Sequence, residues 1–353
     1  MGNIIKILKS KNIASGYLYF YIHLITEIIC FYYLSVVTNN SNFVWLIPFI
    51  YDGLAFVPQG IFGYINDKYP KFNMGIVGTI LLIISYILLF YLKFNLLFTL
   101  VILSIGNALL HVSGAENTLR VSGGKLSHSA IFVGGGSFGV ALGKVLAMYN
   151  ISPIILILLA LTMIPFILLA DTYMEEGKSA EEFDYVKSTF NHFVVIILAT
   201  FVVIIRGYMG YGIPTSWNKT TIQMVLLFFT MGIGKCLGGI LSDAYGIRKI
   251  GILSTLLAIP FLSFGDDAML ISLIGVMMFS MTMSITLACI VSVLKNSPGL
   301  AFGFTTIGLF LGTAPIFFIS IPSKMVNILI ILVFSIMCSI ILGVLLKKEN
   351  VHD

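Results

Sequence analysis

The chain contains twelve runs of about 20 predominantly apolar residues, each long enough to cross the ~30 Å hydrocarbon core of a bilayer. They fall at 13–37, 43–65, 73–92, 95–118, 127–149 and 152–170 in the first half. In the second half they fall at 191–213, 220–241, 249–265, 268–294, 299–320 and 325–346. A backbone in lipid has no water to satisfy its N–H and C=O groups, so each run must satisfy them internally as a helix. The runs are too long and too continuously apolar for barrel strands. Hydrophobic residues make up 58% of the 353 residues and charged ones 10%, too few charges to cover such a chain in water. The 33 glycines also suit membrane helices.

Lys6, Lys9 and Lys11 precede the first run, which is too long for a signal-peptide core and lacks a small-x-small cleavage site. It is expected to remain as the first span. Cys30, Cys236, Cys289 and Cys338 lie far apart, with no C-x-x-C and no Cys/His cluster. Their spacing indicates neither a disulfide framework nor a zinc site, and no metal is expected. The net charge of +5 is carried in short loops, which suits topology rather than nucleic-acid binding. Gly135, Gly139 and Gly143 put three small residues on one helix face, which permits close helix approach. No Gly-Lys-Ser/Thr follows them, so they are not a phosphate loop. No catalytic triad or ATP site is present, so the expectation is a non-enzyme without cofactor, working on an ion gradient or downhill.

The longest polar stretch between spans, 171–189, contains Glu175, Glu176, Glu181, Glu182 and Asp184. It divides the chain into an N-terminal six-helix bundle, 1–170, a linker, 171–189, and a C-terminal six-helix bundle, 190–353. Placing the N-terminus inside puts 14 basic residues in inner segments and three, Lys93, Lys219 and Lys324, in outer loops. That asymmetry satisfies the positive-inside rule and predicts a cytoplasmic linker and cytoplasmic termini. The remaining three basic residues, Lys144, Arg206 and Lys235, fall inside spans. A composition rich in Ile, Lys and Asn suits a low-GC bacterium, hence a bacterial plasma membrane.

An internal repeat follows the second and eighth runs. Gly63 and Asp67 with Lys68 and Lys71, and Gly239 and Asp243 with Arg248 and Lys249, both read G-x-x-x-D followed by basic residues. The two aspartates are 176 residues apart, half the chain. Two six-helix halves carrying this loop at equivalent places resemble the parallel repeats of a major facilitator superfamily transporter. Pro70 and Ala244 depart from that family's motif. A narrower resemblance is to bacterial fosmidomycin-resistance exporters. It rests on His23 and Glu27, on Gly63 through Pro70, on His111, and on Gly123-Gly124-Lys125 followed by Ile131 through Gly139. That family's His-Pro-Glu here reads His111-Val112-Ser113, and Lys144 stands where proline is usual. The resemblance implies an all-α polytopic fold of twelve transmembrane helices in two six-helix pseudo-repeats, and an exporter.

It also implies a cytoplasmic gate. Asp67 would accept hydrogen bonds from the N-terminus of span eleven, near Ser297 to Gly299, where the helix dipole favours a carboxylate, and would pair with Arg120. Asp243 would do the same at span five, near Lys125 to Ser129. Such a latch would hold an outward-facing state. Lys68, Lys71, Arg248 and Lys249 are expected to be mostly topological.

A charge near the bilayer centre costs about 3 kcal/mol or more, so each embedded one needs a reason. His23 and Glu27 lie four residues apart on one face of the first span and read as a proton site or as a structural hydrogen bond. Asp52 reads as a second proton carrier or as vestibule lining. Arg206 suits bidentate capture of a phosphonate or carboxylate, the alternative being a salt bridge to Glu27 or Asp52. Lys235 contacts an anion or snorkels, and Lys144 is expected to snorkel outward. His111 and Glu116 join the cavity group through the resemblance alone. Together these residues predict a monomeric secondary transporter moving a small anionic or amphiphilic solute. Proton-coupled drug or metabolite export is the leading reading, and proton-coupled uptake of an organic acid or nutrient is the alternative. A receptor or membrane enzyme is the reading from another class.

Overall fold

A computed structural model describes residues 13–39, 44–173, 180, 182–321 and 323–348. The lysines at 6, 9, 11 and 178 and the glutamates at 175, 176 and 181 lie outside the described residues. Twelve helical spans run through the described part. They are α1 (Ala14–Asn39), α2 (Leu46–Lys68), α3 (Met74–Tyr91), α4 (Leu96–Arg120), α5 (Leu126–Met148), α6 (Pro153–Asp171), α7 (His192–Tyr211) and α8 (Thr221–Tyr245). After these come α9 (Ile247–Ser263), α10 (Met269–Val293), α11 (Pro298–Phe317) and α12 (Lys324–Leu345). Eleven are long and apolar enough to span by themselves; α9 has 17 residues and begins with Arg248 and Lys249 in its first turn.

Polar residues fix where the helices start. Asn73, Asn95 and Asn191 cap α3, α4 and α7, accepting from Ile76 N (3.0 Å), Phe98 N (3.1 Å) and Phe193 N (2.8 Å). Thr220 and Gln223 form a capping box on α8. Pro153 and Pro298 occupy first turns, where a missing N–H costs nothing. Pro58 interrupts α2, and α10 breaks at Met281.

The helices α1, α4, α5 and α10 are the most buried, whereas α6 and α12 turn most of their surface outward. The two six-helix groups meet along two seams, α5 against α8 and α2 against α11. Gly135, Gly139 and Gly143 bring α5 against the backbone carbonyls of Phe20, Leu24 and Ile28, one turn apart on α1.

The described part of the inter-half segment is folded rather than loose. Val186 bridges Leu346, Lys347 N donates to Tyr185 O (2.9 Å), and Ala180 N donates to Lys295 O (2.9 Å). Phe183 is buried and the Tyr185 hydroxyl donates to Gly124 O (2.6 Å). Gly124, at φ +76°, has backbone of Glu182 where a Cβ would stand. This end of the bundle is called the linker face below.

Candidate functional site

The linker face is closed by two carboxylates, each set on the N-terminus of a helix from the other half. Asp67 ends α2 facing α11, whose first residue is Pro298. The next two N–H groups are therefore free of intrahelical partners. Gly299 N donates to Asp67 Oδ1 (3.0 Å) and Leu300 N to Oδ2 (2.9 Å). One turn earlier, Gly63 lies directly against the Gly299 carbonyl, with no room for a side chain. The spacing of four thus has a mechanical meaning: glycine lets the backbones touch, and aspartate one turn on caps the helix.

The second copy makes the same contact with α5. Asp243 Oδ1 accepts from Leu126 N (2.8 Å) and Oδ2 from Ser127 N (2.9 Å). Gly239 faces Leu126 O and the Ala130 side chain. Both aspartates lie inside the last turn of their helices, so the helices run past the apolar boundary read from sequence. The copies differ in their support. Arg120 Nη2 donates to Asp67 Oδ1 (3.2 Å) while its Nε donates to Glu116 Oε1 (2.7 Å). Asn66 Nδ2 donates to the other Glu116 oxygen. Glu116, expected in the cavity, is therefore placed at the latch. The basic residues of the repeat stay outside it. Lys68 lies over the Tyr69 ring (5.5 Å), Arg248 Nε donates to Gly343 O (2.9 Å), and Lys71 and Lys249 are exposed.

A second group lies midway along α1 and α4. Glu27 Oε1 is 3.2 Å from His111 Nε2 and 3.9 Å from His23 Nε2, and it accepts from Asn107 Nδ2 at 3.1 Å. The nearer histidine is thus the one on the other helix, not the one four residues away. A pair at i, i+4 points along one face, whereas His111 approaches the carboxylate across the helix interface. The histidine rings meet edge to face at 4.3 Å. Asn107 also donates to the Tyr51 hydroxyl (2.9 Å) and to Cys30 Sγ (3.4 Å). Sequence reasoning passed over Asn107, although an amide one turn before His111 in an apolar run was the available signal. His23, Glu27 and His111, all buried, form a possible metal-donor set, with ligand atoms within 4.8 Å of one another. No cysteine takes part in this group, and its donors come from two helices, so cysteine spacing does not bear on it.

Asp52 is half-buried and makes no hydrogen bond or ion pair among the described residues. Glu27 and Lys144 are the charges close enough to act on it. Lys144 packs its ammonium over the rings of Phe228 (5.0 Å) and Phe31 (5.8 Å) instead of snorkelling clear of the bundle.

Arg206 lies on α7, 8% exposed, with Nε and Nη2 buried and unbonded. Neither Glu27 nor Asp52 pairs with it among the described residues, so the salt-bridge alternative is not what the fold builds. It lines a cavity of about 40 Å³ with Tyr211, Lys235 and Ser280. Lys235 reaches across the seam from α8 to donate to Ser137 Oγ on α5 (2.8 Å). Gly210 and Tyr211 also line a larger opening of about 510 Å³ at the face opposite the linker, bordered by Lys144, Asn218, Lys219 and Phe228. The cationic cavity thus adjoins an opening on one side, and the two latches lie on the other.

No family model matches the chain, and no curated protein matches it in sequence. Solved structures match its fold. It is similar to the human organic anion transporter MFSD10 (TETRAN), with a TM-score of 0.68 and 12% identity, over 95% of this chain and 100% of that one. It is also similar to a major facilitator superfamily transporter, FucP, in the outward conformation, with a TM-score of 0.54 and 13% identity, over 91% of this chain and 98% of that one. The chain is an all-α, multi-pass membrane protein with the major facilitator fold, its described residues forming twelve helices in two six-helix pseudo-repeats.

Proposed function

We propose that the chain is a secondary transporter that moves a small organic anion by alternating access, coupled to protons. The observation that carries this reading is the unpaired guanidinium of Arg206 in a cavity it shares with Lys235. Burying a cation without a partner is costly, and an anion entering the cavity removes that cost. A human protein of the same fold is an organic anion transporter, which supports the class of solute.

The proton sits at Glu27 and His111, whose contacting atoms are both acceptors unless one carries hydrogen. Lys235 is close enough to act on both Glu27 and Arg206. A proton at Glu27 removes a negative charge from the neighbourhood of the anion, so proton and anion favour each other's binding. That sign favours symport, which an inward proton gradient turns into uptake. The narrower sequence resemblance favours drug or metabolite export, which needs the proton to leave as the solute binds. The halves 1–170 and 190–353 rock about the central cavity in a monomer. The linker and termini are cytoplasmic in a bacterial plasma membrane, and the two latches close the inward path.

The test is proton movement in proteoliposomes on addition of small carboxylates and phosphonates. Symport alkalinises the side to which solute is added, and exchange acidifies it. Arg206→Ala abolishes either signal, and Glu27→Gln abolishes proton movement while leaving anion exchange. If no solute gives flux that depends on Arg206, the reading fails.

A further inference from the structure

The donor set on α1 and α4 has a property that proton transfer does not require. His23 Nδ1 lies 2.9 Å from Phe132 O, and His111 Nδ1 lies 3.0 Å from Asn107 O. A carbonyl oxygen only accepts, so each Nδ1 carries the hydrogen. In the neutral rings both Nε2 atoms therefore present lone pairs, and both lie against the same carboxylate oxygen, at 3.2 and 3.9 Å. Holding a histidine by Nδ1–H to a backbone carbonyl is how proteins orient an imidazole for a metal at Nε2. The carboxylate is oriented too, by Asn107 Nδ2 at 3.1 Å. A tetrahedral or octahedral ion with bonds of about 2.0–2.2 Å holds neighbouring ligand atoms about 2.8–3.6 Å apart. The His111–Glu27 separation fits as it stands, the His23–Glu27 separation is longer, and all three donor atoms lie within 4.8 Å of one another.

A second observation points the same way. Asn107 is fully buried, and its Oδ1 has no hydrogen-bond partner. Two histidines and one carboxylate leave coordination positions for water, and a metal-bound water is a donor of the kind Oδ1 lacks.

We infer that His23, Glu27 and His111 form a binding site for one divalent transition-metal ion of the zinc, cobalt or iron(II) class. The ion takes Nε2 of both histidines and a Glu27 oxygen, with water completing the shell and Asn107 as a positioning residue. This goes beyond the transport reading and shares residues with its proton site, so bound metal excludes the coupling proton. Ca²⁺ and Mg²⁺, which take oxygen ligands, are not held.

The test uses the purified full-length chain in detergent, titrated with Zn²⁺ by calorimetry and with Co²⁺ by visible absorption. The expected result is one ion per chain, a cobalt ligand-field spectrum from nitrogen and oxygen donors, and no response to Mg²⁺. His23→Gln, His111→Gln and Glu27→Gln each weaken Zn²⁺ binding at least tenfold, while unfolding profiles show the variants intact. Asn107→Ala weakens it less and shifts the cobalt spectrum. Binding that survives in His111→Gln overturns the site, as does a thiolate charge-transfer band or the absence of binding to the parent protein. Anion binding at Arg206 is read separately, by calorimetry of the metal-free parent protein with a carboxylate. Metal binding and the transport reading therefore fail independently.

Discussion

Asp67 and Asp243, 176 residues apart, make the same contact: each carboxylate grips two successive backbone N–H groups at the start of a helix from the opposite half, at 2.8–3.0 Å. Each is a helix cap whose helix belongs to a different bundle, so capping here is also a bond between bundles. A charged acceptor on such N–H groups is worth about 1.5–3 kcal/mol.

Asp67→Ala and Asp243→Ala are therefore expected to loosen the linker face. Each loses about 1–3 kcal/mol of closed-state stability. The measurement is the labelling rate of a single cysteine introduced at Ser297 or at Ser129. Labelling accelerates in both variants, and no change in either would remove the latch role.

Gly63 and Gly239 are expected to tolerate no side chain while the linker face is closed. A Cβ on Gly63 would overlap the Gly299 carbonyl, and one on Gly239 the Ala130 side chain. Gly63→Ala should then shift the protein toward a state open at the linker face without unfolding it, because the overlap exists only when α2 and α11 touch. Distances between spin labels on α2 and α11 should lengthen while helix content stays constant. Loss of helix content would instead make Gly63 a folding residue.

How much of this was legible in sequence depended on the range of the interaction. The twelve spans were readable because lipid imposes length and apolarity on each one separately. The two aspartates were readable because the repeat duplicates them, though their helices run past the apolar edge to carry them to the opposite half. Arg120 was readable as the partner of Asp67, but Glu116 was not readable as part of the latch: which way that face of α4 points is decided by packing against Asn66 and Asp67. The nearer partner of Glu27 was not readable for the same reason. His23 is four residues away and His111 is 84, and only the α1–α4 packing makes the distant one the closer.

Arg120 should be the most sensitive of the charged residues. It pairs with two buried carboxylates, Asp67 and Glu116. Arg120→Gln leaves both without their cation and is expected to cost about 3–5 kcal/mol. Adding Glu116→Gln removes one of the stranded charges and should recover part of that loss. Thermal unfolding in detergent of the two single variants and the double completes the cycle. Strict additivity would show that Glu116 and Arg120 are not coupled.

At the opposite face, Asp266 Oδ1 accepts from Ser216 N (2.9 Å) and Ser216 Oγ (2.6 Å), tying the loop after α7 to the loop after α9. The hydrogen bonds from Ser216 hold its carboxyl below the ordinary carboxylate range. A folded pKa below the unfolded one contributes stability above about pH 4, lost as pH falls through the folded value. The effect is small because the group is exposed. Unfolding curves of parent and Asp266→Ala should differ slightly at pH 7 and converge below about pH 4. A difference that persists at low pH would assign the stabilisation to something other than this carboxylate.

Arg206 should trade stability for binding. Its Nε and Nη2 are buried without partners, and the cavity beside it holds a second cation, Lys235. Replacing an unpaired buried charge by an apolar side chain of similar length removes a desolvation cost, so Arg206→Met is expected to stabilise the empty protein by about 1–3 kcal/mol. The same change removes the guanidinium fork, and Lys cannot replace it, because an ammonium offers no bidentate geometry. Anion affinity should fall at least tenfold in Arg206→Lys and vanish in Arg206→Met. The parent protein, and not Arg206→Met, should gain thermal stability on adding a carboxylate or phosphonate ligand. Thermal shift assays with and without ligand separate these outcomes. A variant that is destabilised when empty would mean that Arg206 already has a structural partner, and its role as the anion site would have to be given up.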